Sequence, residues 1–281
     1  MSKIQSTAWD LAGGTALAAA FLVSGASAQA PGSVPDFSSN QASWAQGNGV
    51  NFMPVPGAVP PVVNDPAHRH ISNGEARRLG VQPTYRIADL NNPNLKPWAK
   101  EVMKKDNDEV LKGKIAYTPG SSCRPAGTPV FMLDGGPFYF VQTPKEVLIV
   151  ASEDSNTRHV YLNTSHSQNP KPSWYGESVG HYENGDTLVV DTIGLNTKTF
   201  VDHFRTPHTE KLHVVERWRL ADAGKAIEIE VTVDDPDTFN QPWKGKVRLE
   251  RSRQAYTEFV CSEGNHNLFD YGLPEAKKSD F

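Results

Sequence analysis

The stretch Ala226-Ile227-Glu228-Ile229-Glu230-Val231-Thr232-Val233-Asp234 decides the fold. Branched apolar residues alternate with Glu, Thr and Asp at a period of two, the repeat of a β-strand with one dry and one wet face. Before it, across Asp222-Ala223-Gly224, stands Leu212-His213-Val214-Val215-Glu216-Arg217-Trp218-Arg219-Leu220, and the two read as a hairpin. Residues 177–183 and 187–193 form a second hairpin, joined at Asn184-Gly185, a pair suited to the positive φ angles of a tight turn. Residues 146–153 and 158–163 flank Asp154-Ser155-Asn156-Thr157, and 245–251 with 256–261 make a fourth pair. Strands in unbroken succession predict an all-β domain. Its expected form is an antiparallel meander closed into a lipocalin-like barrel or sandwich, which leaves no open edge. A small barrel of this kind can hold one ligand in its mouth.

The chain before these strands reads differently. Residues 95–112 predict one helix, with Pro97 near its start, Trp98, Val102, Val110 and Leu111 as its apolar stripe, and Gly113 as its stop. Residues 29–94 are rich in Pro and Gly and lack a strand or helix period, so they read as an arm or linker. The helix and the barrel then form one domain over residues 95–281. Residues 1–28 read as a secretory signal: Lys3, an apolar run over 11–23, and the small-residue site Ala26-Ser27-Ala28. The run is too short for a membrane span, which needs about 20 apolar residues. The mature chain is therefore expected in the periplasm or outside the cell, without a membrane anchor.

Composition excludes some partners. The 281 residues carry a formal net charge of -4 with no basic block, so a nucleic-acid footprint is absent. Only Cys123 and Cys261 are present. In an oxidising compartment an even pair suggests a disulfide; the alternative is two buried thiols.

Candidate chemistry concentrates between residues 158 and 218. Glu216 shares a strand face with Leu212, Val214, Trp218 and Leu220. A carboxylate on an apolar face must be paired, for instance with Arg158, Arg248 or Arg251, or put to acid–base use. The opposite face, with His213 and Arg217, could also be the inward one. His203, His208 and His213 recur at intervals of five, which lines neither a helix face nor a strand face. A loop could still bring His208 and Glu210 toward a barrel mouth beside His166. Such a set would supply imidazole and carboxylate ligands for zinc, although no metal motif is present. Gly176-Glu177-Ser178-Val179-Gly180 matches the nucleophile elbow of α/β-hydrolases, but the strand–turn–helix context is missing. Its glycines read better as points of close backbone approach.

These motifs resemble those of a large group of secreted bacterial proteins. The resemblance rests on Arg158-His159-Val160-Tyr161-Leu162, on Trp174-Tyr175-Gly176-Glu177-Ser178-Val179-Gly180, on Gly185 to Gly194, and on Pro207-His208-Thr209-Glu210 with His213-Val214-x-Glu216-Arg217. Asp234-Asp235-Pro236, Pro242-Trp243 and the surroundings of both cysteines extend it over about residues 95–265. It implies a shared fold and export rather than a reaction.

The leading expectation is a cofactor-independent enzyme, a lyase, isomerase or hydrolase, acting on a small aromatic or apolar molecule. His208 or His213 is the acid or base, Glu216 its carboxylate partner, and Arg158 the anion stabiliser. His166, Trp174, Tyr175, Glu210 and Trp218 line the substrate. The alternatives are a non-catalytic small-molecule-binding barrel and a metal-dependent hydrolase.

Overall fold

The computed structural model describes residues 34–38, 43–47, 50–81, 83–134, 136–152 and 157–261. Residues 1–28, where a signal segment is expected, the turn at Asp154-Ser155-Asn156 and the chain beyond 261 lie outside the described residues. In chain order the elements are β1 (Ser43–Gln46), β2 (Met53–Pro54), α1 (Asn73–Leu79), α2 (Pro97–Leu111), β3 (Phe138–Gln142), β4 (Glu146–Ala151), β5 (Thr157–Leu162), β6 (Glu177–Glu183), β7 (Thr187–Ile193), β8 (His213–Ala221), β9 (Ala226–Asp234) and β10 (Trp243–Ser252).

Strands β3 to β10 pair in sequence order, and β1 pairs with both β3 and β10. Nine strands thus close into a barrel, with β2 added alongside β10. The alternation along β9 decides which face is inside. Ile227, Ile229, Val231 and Val233 are buried, with Val214, Glu216 and Trp218 of β8 on one side and Trp243, Val247 and Leu249 of β10 on the other. Burying a side chain of this size contributes about 1.5–3 kcal/mol.

The structure departs from the sequence reading in four places. First, the meander is not wholly antiparallel: β5 and β6 pair in parallel, Val160 opposite Ser178. Their connection, residues 163–176, has the dozen or so residues that a crossover needs. Second, the expected arm contributes the strand that shuts the barrel. Trp44 of β1 lies opposite Arg251 and Phe138, is fully buried, and donates its indole N–H to Phe37 O at 2.7 Å. Third, residues 256–261 form no strand, because β1 takes the place beside β10. Fourth, α2 forms as expected but buries Ala99, Met103, Asn107 and Val110, while Trp98, Val102 and Leu111 are exposed. Asn107 is inside because its amide both accepts from and donates to the backbone of Ala88. Satisfying that backbone outweighs the preference for an apolar residue.

Cys123 and Cys261 form a disulfide across 138 residues of sequence. Among the described residues no helix is long and apolar enough to cross a membrane.

Candidate functional site

The charge inside the barrel is paired. Arg158 on β5 and Glu216 on β8 have side chains 1% and 0% exposed, and Arg158 Nη1 donates to both Glu216 oxygens at 2.9 and 2.8 Å. The rest of the guanidinium donates to Ser178 Oγ on β6 and Thr192 Oγ1 on β7. Trp218 Nε1 donates to Glu216 Oε2 at 3.2 Å, and the Phe131 ring lies 5.1 Å from the guanidinium carbon. Each guanidinium nitrogen has an acceptor, so the network is satisfied without a substrate. Phe131, Phe138, Phe140, Trp44 and Trp218 fill the space around it. The barrel axis is therefore a packed core rather than an open cup.

The expected catalytic and binding residues separate into distinct places. His208 is buried under its own loop: Nδ1–H donates to Thr209 O and Thr199 Oγ1 donates to Nε2, both at 2.9 Å. Burial holds its pKa below the ordinary imidazole value, against the pull of Thr209 O and Asp235. This is a neutral, loop-anchoring histidine. Glu210 is exposed, Trp218 belongs to the core, and Tyr175 packs edge-on against Phe131 with ring centres 5.7 Å apart. Trp174 is half-buried, and its carbonyl accepts from Thr128 N–H. Ser178 faces the arginine rather than a histidine. Gly176 has φ 66°, and a Cβ there would stand 2.5 Å from Ile193 O, so close approach accounts for the Gly-x-Ser-x-Gly spacing.

His166 and His213 do come together, on the outer wall of the barrel. His213 Nε2 lies 3.0 Å from both oxygens of Asp191 on β7. His166, in the 163–176 crossover, places Nε2 2.8 Å from Asp191 Oδ1 and Nδ1 3.1 Å from Glu177 Oε1 on β6. The partner of His213 is thus Asp191, not Glu216, because residues 213 and 216 point to opposite faces of β8. Among the described residues no three His, Cys, Asp or Glu side chains are arranged to hold a metal ion.

A cavity of about 1180 Å³ opens at the end of the barrel where β3 begins and β4 ends. Phe131, Leu133, Phe138 and Phe200 supply apolar wall, Arg86 and Asp134 supply charge, and residues 257–261 run along one side. His203 is the polar hub. Its Nδ1–H donates to Val50 O, and its Nε2 lies 2.7 Å from Asp134 Oδ1. Tyr85 meets the His203 ring edge-on, and Arg86 lies over Tyr85 and donates to His203 O. Sequence reading placed His203 only in a run of histidines. Asp134, Arg86 and the segment that carries them gave no pattern to read.

Asp202, beside His203, is fully buried. Desolvation pushes its carboxyl up to about 6, although Thr206 and Phe204 donate to it. An unfolded aspartate titrates near 3.8, so the fold favours the neutral form. That stabilisation is complete below about pH 4 and is lost as pH rises through about 6. Urea unfolding should therefore show wild type losing stability relative to Asp202→Asn over this window, with parallel curves at higher pH. A constant difference across the window would refute the assignment.

Compared with protein-family models, curated proteins and solved structures, the chain has no match.

Proposed function

We propose that this protein is an exported small-molecule-binding β-barrel whose ligand occupies the cavity at the end of the barrel. The cavity carries the reading: about 1180 Å³, walled by aromatic side chains and punctuated by Arg86, Asp134 and His203. Metabolite-sized ligands favour apolar concavities with a few fixed polar groups. A joint catalytic role for His208, His213, Glu216 and Arg158 would need one pocket, and these residues occupy three separate places. Export rests on the 1–28 signal pattern and on the Cys123–Cys261 disulfide, a bond that persists in oxidising compartments. The resemblance to secreted bacterial proteins points the same way.

Anilinonaphthalene sulfonate, a fluorescent apolar anion, tests the cavity. Saturable binding with one site per chain is expected. Phe200→Ala should weaken it about tenfold, as loss of part of an aromatic contact implies. Val141→Ala, on the outer wall, should leave it unchanged. Absence of saturable binding, or equal affinity in both variants, would reject the cavity as the ligand site.

A further inference from the structure

We propose that His213 is a general base on the outer wall of the barrel, oriented by Asp191 and backed by His166 and Glu177, that activates water against small acyl substrates. This site is separate from the cavity and does not depend on its ligand. The geometry is a continuous hydrogen-bonded chain, Glu177–His166–Asp191–His213, running across β6, β7 and β8 under the crossover. Each member has a defined place. Both nitrogens of His166 are engaged by carboxylates, so His166 fixes Asp191 and is not itself available. Ser167 N–H donates to Glu177 Oε1 at 2.7 Å and steadies the far end. Asp191 holds His213 by Nε2 alone. Nδ1 of His213 has no hydrogen-bond partner among the described residues, and the side chain is 41% exposed. The chain therefore ends in one oriented imidazole nitrogen that water and a small substrate can reach, the arrangement of a histidine set up for proton transfer.

The groups facing His213 are Asp191 on β7, Asp234 opposite it on β9, and His166 through Asp191. The hydrogen bond from Asp191 raises the His213 pKa above the ordinary imidazole value against partial desolvation, and the charges of Asp191 and Asp234 add to it. Asp191 itself is held low, first by His213 and then, against desolvation, by His166. The base form of His213 thus keeps its Nε2–H on Asp191 and presents the Nδ1 lone pair. In the proposed step the oxygen of water bonds to the acyl carbon while its proton passes to Nδ1. The bond from that carbon to the leaving oxygen then breaks, and His213 returns the proton to solvent.

The experiment is hydrolysis of p-nitrophenyl acetate by the full mature chain as a function of pH. The rate should rise with pH through the raised His213 pKa and then level off. His213→Gln should lower the protein-catalysed rate about tenfold or more, the low end for a general base. Asp191 is a positioning residue: Asp191→Asn should lower the plateau and move the midpoint to lower pH, because the stabilised imidazolium loses its partner. NMR titration of the His213 ring reads the same midpoint without turnover. A His213→Gln protein as active as wild type would overturn the proposal. So would an Asp191→Asn protein whose ring titration moves while its rate keeps the wild-type midpoint and plateau, the result expected of a cluster that only ties the crossover down.

Discussion

Glu216→Leu should lower the unfolding free energy by about 3–5 kcal/mol, the range for removing one partner of a buried ion pair. The cause is what stays behind. Arg158 is 1% exposed, and without the carboxylate its charge would rest on the hydroxyls of Ser178 and Thr192. Arg158→Met should cost a similar amount, leaving Glu216 with the single N–H of Trp218. The double variant Arg158→Met/Glu216→Leu should recover most of the loss, because apolar residues of similar volume match a buried pair in stability. Urea unfolding of the four proteins closes the cycle. Additive single-variant losses would show that the two residues do not act as one unit.

Replacing both cysteines by serine should cost about 5 kcal/mol. The bridge spans 138 residues of sequence, and the entropy withheld from the unfolded chain grows with loop length. The effect should appear as a lower urea midpoint in oxidised wild type against Cys123→Ser/Cys261→Ser, with little difference once wild type is reduced. An unchanged midpoint would mean that the contacts of residues 253–261 hold that segment without the bond. These residues form one wall of the cavity, so anilinonaphthalene sulfonate affinity should fall with them.

The barrel was legible where local pattern and long-range pairing agree. Strands β6 to β9 carry the period of two, and Asn184-Gly185 has the left-handed backbone its residues favour, with φ 52° and 73°. Strand β1 was not legible. Four residues with one large apolar side chain make no pattern, and their partners lie some two hundred positions away at Glu250 and Arg251. The charge on the inner face of β8 was visible, and Arg158 was among its possible partners. Sequence could not show that four strands would converge their polar groups there and leave nothing over for a substrate. The His166–Asp191–His213 chain was hidden for the opposite reason. Its members occupy outward positions, where any polar residue is ordinary, and only the crossover from β5 to β6 places His166 above Asp191.

Closure of the barrel by β1 also sets an order of events. A chain that emerges N-terminus first has Ser43–Gln46 free early, but Leu249–Ser252, the partners that seal the ring, come last. The ring cannot shut until the chain has been made as far as β10. Such distant pairing makes closure slow relative to the local hairpins. Until it shuts, the edges of β3 and β10 that β1 covers stay unpaired, open to any other strand that meets them.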